Sequence, residues 1–398
     1  MKEGYRLLGD FIQPVDERNR DLRIDYLLGV SISKQFIPSI ANIVGTDLSS
    51  YKIVRTGQFA YGPVTSRNGE KISIALLRDK DCIISSSYTV FEVVNKNELD
   101  PEYLMLWFSR PEFDRYARYM SHGSVREIFD WDELCKVELP VPSIDKQRSI
   151  VKAYQTITER IELKRRINDN LAKTIKAVFK SWFLDFDAFD GVELVQSQYG
   201  LIPNGWHYEL LGNLCDCVTK GTTPTTLGKD FTDTGINFIK GESINDDHSF
   251  NKTLFAHIDD ETDELLKRSR IYVNDIVFTI AGTLGKFALV DGSVIPANTN
   301  QAVAIIRTSK IMPAMLYSYF IGEWQVEFYK RNTQQAVQAN LSLGTIKDLP
   351  ILLPDSKGQD HYMQLVTPLI VGMQNNFSEI ERLYELQNQL LARLSSSR

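Results

Sequence analysis

Cysteine is scarce: Cys82, Cys135, Cys215 and Cys217 are the only four in 398 residues, at unmatched positions. They imply no disulfide framework, and a reducing cytoplasm is the natural compartment. Long apolar runs are missing too; none approaches the roughly 20 residues of a membrane span. The opening Met1-Lys2-Glu3-Gly4 is not read as a signal peptide. An excess of positive charge is also lacking, since the formal net charge is −6. Nonspecific attraction to phosphate is therefore weak for this chain alone. The imbalance is uneven. Residues 1–142 hold 18 cationic against 21 acidic side chains, residues 143–183 hold 10 against 4, and residues 184–398 hold 17 against 26. The one basic stretch is a single segment.

Motifs that carry chemistry are missing as well. No Gly-x-Gly-x-x-Gly run offers a dinucleotide or methyl-donor site. Gly282-Thr283-Leu284-Gly285-Lys286 is two residues short of a phosphate loop, and Phe287 stands where a magnesium-holding hydroxyl belongs. Cys215-Asp216-Cys217 is no zinc spacing and reads as two strand-surface thiols. His122, His207, His248, His257 and His361 form no recognisable set. The expectation is a chain with no catalytic residues, no metal and no cofactor of its own.

What is present is a repeat. Pro101-Glu102-Tyr103-Leu104 recurs as Pro313-Ala314-Met315-Leu316, Phe108 as Phe320, Val125 as Val337, Leu139-Pro140 as Leu349-Pro350, and Gln147 as Gln359. Tyr5-Arg6-Leu7-Leu8-Gly9-Asp10 matches Tyr208-Glu209-Leu210-Leu211-Gly212-Asn213. A period this long is domain-sized and means two related domains. Two similar halves imply an approximate two-fold axis, which duplex DNA also has.

Within each half, apolar runs at 72–77 and 88–94, and at 275–280 and 302–306, predict strands. A shorter helix follows near 101–119 and 313–330. Each half then ends in a long helix. The first opens after Pro142 with Ser143 as N-cap. Its seam runs Ile150, Tyr154, Ile157, Ile161, Leu171, Ile175, Val178 and Trp182, with Lys164 and Asn168 in the two mid-helix slots. The second follows Pro354, with Met363, Val366, Ile370, Met373, Phe377, Ile380, Tyr384, Leu391 and Leu394 on its seam and Gln387 in a polar slot. Pro368 is expected to kink this helix or delay its start. Alternating spacings of four and three in two helices imply a coiled-coil pair; the alternative is that each helix packs on its own domain. Residues 185–206, with Gly191, Gly200, Pro203 and Gly205, read as a linker.

The loops between strands hold residue types that read base edges and phosphates. The second half offers Lys220, Thr222, Thr223, Thr283, Lys286, Asn298 and Asn300, the last two within Asn298-Thr299-Asn300-Gln301. The first offers Tyr61, Thr65, Arg67, Lys71, Ser86 and Arg126. Solvated turn chemistry is the alternative for any one of them. Their recurrence at matching places in both halves favours recognition.

The phrase Leu139-Pro140-Val141-Pro142-Ser143-Ile144-Asp145-Lys146-Gln147, its counterpart Leu349-Pro350-Ile351-Leu352-Leu353-Pro354 with Gln359, the stretch from Asn170-Leu171 to Lys180-Ser181-Trp182-Phe183, and Lys220-Gly221-Thr222-Thr223-Pro224 resemble the specificity subunits of type I restriction–modification systems. The first half has Ile12-Gln13-Pro14-Val15 near the place of that Gly-Thr-Pro phrase. The resemblance implies an α+β fold: two repeated strand-rich α/β target-recognition domains, separated by two long antiparallel coiled-coil helices with pseudo-two-fold symmetry. The implied layout is a first recognition domain at 1–142, a central conserved helix at 143–184, a linker at 185–206, a second recognition domain at 207–353 and a C-terminal conserved helix at 354–398. It also implies a non-catalytic subunit that reads a bipartite site in double-stranded DNA, each domain taking one half. The helices would set the spacer and dock two modification (methyltransferase) subunits, with ATP-dependent restriction subunits joining that core. Methyl donor and ATP would bind those partners. A coiled-coil protein-binding scaffold and a DNA-cleaving enzyme are the alternatives.

Overall fold

The computed structural model describes residues 4–39, 46–66, 68–123, 127–189, 191–326 and 341–395. The chain divides into one unit of Met1–Ile161 with Arg382–Arg398 and another of Glu162–Glu381. No helix among the described residues is long and apolar enough to cross a membrane.

Each unit is built on an antiparallel four-stranded sheet of the same order. In the first, Ile12–Val15 pairs with Thr89–Val93, which pairs with Phe59–Tyr61, which pairs with Ile74–Leu76. In the second, the strands are Cys215–Lys220, Val303–Thr308, Ile276–Thr279 and Phe287–Leu289. Side chains alternate between two faces along a strand, and here both faces are buried. Phe59, Tyr61, Ile74, Leu76 and Phe91 enter one core with the helix Pro101–Phe108, while Ala60, Ala75 and Val90 enter another with Val54 and Ile84. The second unit repeats this split, with Ile276, Phe278, Phe287 and Ile306 on one side and Val277, Ala288, Val303 and Ile305 on the other. Burial on both faces is why these strands read as unbroken apolar runs.

The helix expected near 101–119 is two helices, Pro101–Phe108 and Pro111–Tyr119. Asp100 caps the first through the Glu102 and Tyr103 amides, and Pro111 restarts the chain at an N-terminal position, where a missing N–H costs nothing. Its counterpart, Pro313–Ile321, stops at Gly322. A β-carbon at Gly322 would lie 2.3 Å from the Phe179 ring, so the chain there comes too close for any larger residue. Positions 327–330, and Val125 and Val337 of the repeat, lie outside the described residues.

The structure also corrects the repeat. Tyr5–Leu7 pairs with Glu138–Pro140, and His207–Leu210 with Pro350–Leu353. Arg6 faces Leu139 whereas its match Glu209 faces Ile351. Leu139 is therefore equivalent to Ile351 and not to Leu349, two residues away. The neighbouring contacts agree. A β-carbon at Gly9 would abut Cys135, and one at Gly212 would abut Lys347. Tyr103 donates to the Pro140 carbonyl, and Tyr319, one turn further along its helix, to that of Leu352. The Gln147 amide donates to the Pro142 carbonyl and that of Gln359 to Pro354. Each of the pairs 135/347, 140/352, 142/354 and 147/359 differs by 212.

The two long helices are Ile144–Phe183 and Ser356–Arg393. The second runs unbroken through Pro368, so the expected delay in its start does not occur. Within each unit the two run antiparallel. In the second unit, Asn168 donates to the Met373 carbonyl at 3.3 Å and accepts from Asn376 at 2.7 Å. Lys164 reaches Asn376 at 3.0 Å and Glu379 at 2.8 Å. In the first unit, Gln387 donates to the Thr158 hydroxyl at 2.7 Å. The polar slots are thus hydrogen-bonded layers. Around them, Ile157, Ile161, Ile175, Met373, Ile380 and Leu391 are buried, while Ile150, Tyr154, Leu171, Val178 and Phe377 are partly buried against the cores. Tyr384 is 41% exposed. At its C-terminal end, the helix Ile144–Phe183 also plugs a domain core, since Phe179 meets Tyr319 edge to face and Phe183 meets it at a tilt, at 4.8 and 4.9 Å.

The described residues of the segment read as a linker, 185–189 and 191–206, carry regular structure and aromatic packing. Leu194–Ser197 and Gly200–Pro203 form a hairpin, and Phe189 and Trp206 pack edge to face, with Trp182 also against Phe189. The aromatic residues flanking its glycines, Phe186 and Phe189 before them and Trp206 after, pack against one another.

Candidate nucleic-acid interface

Strand register decides which loops meet. In the second unit, Lys220 ends its strand opposite Ala304, and Thr279 ends its strand opposite Val303. Phe278 faces Phe287, which begins the next strand. The loops 221–224, 280–286 and 300–302 therefore leave the same end of one sheet. In the first unit, Val15 faces Val90, and Tyr61 faces both Thr89 and Ile74. The loops 16–18 and 85–88, and the described residues 62–66 and 68–73, gather at the corresponding end. Loops far apart in each half thus form one cluster, in the same arrangement twice.

The second cluster is tightly held. Gly221 donates to the Asn300 carbonyl at 3.1 Å, and a β-carbon there would sit 1.7 Å from the Thr299 oxygen. The glycine is needed for that close approach. Thr223 donates to Gln301 Oε1 at 2.6 Å. The near-miss phosphate loop is a hairpin turn joining two strands, with Gly282 and Gly285 at φ 72° and 85°. Thr279 closes it, donating to the Thr283 carbonyl at 2.6 Å and accepting from the Lys286 amide at 2.9 Å. A phosphate cradle instead needs a helix N-terminus after the glycines.

Lys220 and Thr283 are exposed, and Thr222, Thr223, Lys286 and Asn300 are half-buried, all at this end. Lys286 is paired with Asp246 at 2.9 Å. Asp246 was not singled out from the sequence, and no local pattern ties it to a lysine 40 positions on. Asn300 spends its side-chain oxygen on the Ala302 amide at 3.1 Å. Asn298 is corrected: it is fully buried, donates to Asp263 at 2.9 Å and the Leu266 carbonyl at 3.2 Å, and accepts from Ser269 at 2.7 Å. Every polar atom of that side chain is engaged inside the domain, so it has no surface for DNA.

In the first cluster, Lys71 and Ser86 are exposed. Tyr61 and Thr65 are corrected. Tyr61 is fully buried between Phe91 and Phe129, and burial pushes its phenol pKa up. Thr65 directs both its amide and its hydroxyl to the Glu127 carbonyl, at 3.0 and 3.2 Å. Arg67 and Arg126 lie outside the described residues. Where the second unit has Gly221-Thr222-Thr223, the first has Asp16-Glu17-Arg18. These acids are neutralised locally, Asp16 by Arg18 and Lys52, and Glu17 by Arg55.

Among the described residues no group of three or more His, Cys, Asp or Glu is placed to hold a metal. Cys215 and Cys217 are free and half-buried on one strand, and burial pushes the Cys215 thiol up to about 12, leaving it unreactive. A cleft of about 230 Å³ lies between Arg165, Asp169 and Lys173 on the long helix and Asp246, Asp247 and His248 on a loop.

The geometry defines a class: a tandem protein of two related sheet units, each with polar loops gathered at the same end. The family described as the type I restriction modification DNA specificity domain matches residues 40–173 and 203–381. The chain belongs to that family. It is similar to the MjaIX type I restriction enzyme specificity subunit of Methanocaldococcus jannaschii, 24% identical over 308 residues that cover 76% of this chain and 70% of the relative. It is also similar to the HindI specificity subunit of Haemophilus influenzae, 23% identical with 89% of each chain covered. The crystal structure of the type I S subunit from M. genitalium has a similar fold, with a TM-score of 0.52 at 14% identity, covering 98% of this chain and 95% of that one.

Proposed function

We propose that the chain is the sequence-specific DNA-recognition subunit of a type I restriction–modification complex. Each loop cluster reads one half of a bipartite site, and the long helices set the spacer between the halves and dock modification subunits. The observation that carries this is the same sheet occurring twice, with polar loops gathered at the same end each time. Two copies of one reading surface suit a split site better than a single continuous one. Lys220, Thr222 and Lys286 would contact DNA in the second domain, and Lys71, Ser86 and Arg67 in the first. The domain limits follow the implied layout, with 185–206 included in the fold of the second unit.

Charge supports partners. A chain of net −6 gains little from counterion release on its own, so methyltransferase subunits, two by the duplication, would supply much of the phosphate clamp. Restriction subunits would join that core and bind ATP, and the methyl donor would bind the modification subunits. The chain itself would do no chemistry.

The test is reconstitution with its modification subunits, followed by retention on a DNA library and mapping of methylated positions. Two short conserved blocks at a fixed separation are expected, with no methyl transfer by the chain alone. A single uninterrupted block, or methylation by the isolated chain, would overturn the reading.

A further inference from the structure

The run that leads into the sheet end of the second unit carries three amide side chains, Asn298, Asn300 and Gln301. Their fates differ. Asn298 is consumed inside the domain, and the Asn300 oxygen caps the Ala302 amide. Gln301 is exposed. Its Oε1 accepts the Thr223 hydroxyl at 2.6 Å, and its Nε2 has no hydrogen-bond partner among the described residues. A free glutamine on a loop would lose rotamer freedom on binding. This one is already held, by a residue on a second loop that Gly221 locks against Thr299.

We propose that Gln301 is a base-reading side chain of the second recognition domain and that it reads an adenine in the major groove. The match is chemical. An adenine edge presents N7 as acceptor and the N6 amino group as donor, and a glutamine amide answers both at once. The unpartnered Nε2 serves N7, and the second lone pair of Oε1 serves N6. Thr223 is then a positioning residue: it fixes the amide from behind and need not touch DNA. Lys220, one residue before Gly221, stands at the same sheet end to hold the backbone.

This rests on the chain being a DNA-reading subunit. The experiment therefore starts with the assembled complex of the unchanged chain, which must show a bipartite methylated site. Failure at that step sinks the functional reading itself. In the same complex, Gln301→Ala should relax one adenine position of one half-site, with the other half-site unchanged. The preference for adenine there should fall about 5- to 150-fold, which is about 1–3 kcal/mol at 1.4 kcal/mol per tenfold. Thr223→Val should relax the same position less, and Thr223→Ser should restore it. An unchanged site in Gln301→Ala would overturn the proposal. So would uniform weakening across all sequences with a shallower salt slope, which marks a phosphate contact. Relaxation of a guanine or pyrimidine position instead would overturn the assignment to adenine. Thermal melting of each variant separates misfolding from these outcomes, and Gln301→Glu, which keeps the shape and loses the donor, repeats the test if the alanine variant does not fold.

Discussion

At the scale of single residues, the side chains that look most like DNA readers divide into those that serve the fold and those that reach solvent. Asn298 serves the fold. Asn298→Ala takes the donor from Asp263 Oδ1, leaving that carboxylate only Arg270 on Oδ2, and leaves Ser269 only the Leu266 carbonyl; an unsatisfied polar group in the interior costs about 1–3 kcal/mol. The expected result in thermal or chemical unfolding is a loss of that order, with any DNA defect following from stability and not from altered specificity. His248 carries a second prediction. It sits at φ 69° with its ring stacked on Phe287 at 4.1 Å, and burial holds its pKa below the usual value of 6.5. Asp246, Asp247 and Tyr317 lie beside it, and Arg165, Asp169 and Lys173 line the same cleft. Because the folded pKa is lowered, the unfolded chain takes up the proton first as pH falls. The stabilisation is present above about 6.5 and is lost as pH drops through that value toward the folded pKa. Melting temperature should fall between pH 7 and pH 5. His248→Asn, which tolerates positive φ, should flatten that slope, and an equally steep slope in the variant would assign the effect to other groups.

At the scale of elements, the hydrogen-bonded layers in the helix pair make a distinct prediction. Asn376→Leu alone strips Asn168 of its donor and Lys164 of one acceptor inside the seam, and should cost about 1–3 kcal/mol. Adding Asn168→Leu removes the stranded group, and Lys164 keeps Glu379 at 2.8 Å. The double variant should recover most of the loss in chemical denaturation, because replacing both buried partners by apolar groups can be nearly neutral. Additive losses would show that the two asparagines are not coupled. These layers were legible in the sequence, as polar residues interrupting a regular seam at Lys164, Asn168 and Gln387. The strands were legible for a related reason: burial on both faces leaves continuous apolar runs. What the sequence hid was tertiary. The repeat was read two residues out of register at Leu349-Pro350, because a Leu-Pro pair recurs there while the pairing partner of Arg6 is equivalent to Ile351. Tyr61, Thr65 and Asn298 were read as surface because their partners come from elsewhere in the chain. Glu127 lies 62 residues from Thr65, and Asp263 lies 35 from Asn298. Nothing in a local window marks such pairs, whereas loop composition alone points to the sheet end at which Lys220, Thr222 and Lys286 stand.

At the scale of the whole molecule, the helices as a ruler give the most direct test, and the observed pairing decides how to make it. A turn added near Arg165 needs a matching turn in the partner helix, and the pattern of the two seams alone does not give its place. The contacts give it, because Lys164 meets Asn376 and Asn168 meets Met373. A turn after Arg165 therefore needs its counterpart next to Asn375, and an insertion at Glu385 would leave the stretch between out of register. Four residues add about 6 Å of helix and a net rotation of about 40°. Two base pairs add about 6.8 Å and about 70° of twist at 10–10.5 base pairs per turn. Length and groove phase then advance nearly together, so a reading surface carried on the extended helix still meets a groove. A local insertion of four residues is also one that helix pairs absorb by slight unwinding. The expected outcome is a methylated site with both half-sites unchanged and a spacer longer by one or two base pairs. The single insertions, each shifting the seam against its partner, should lose modification instead. Strong methylation at the original spacing by the doubly extended protein would falsify the ruler, and a changed half-site sequence would show that the insertion had reached a reading loop.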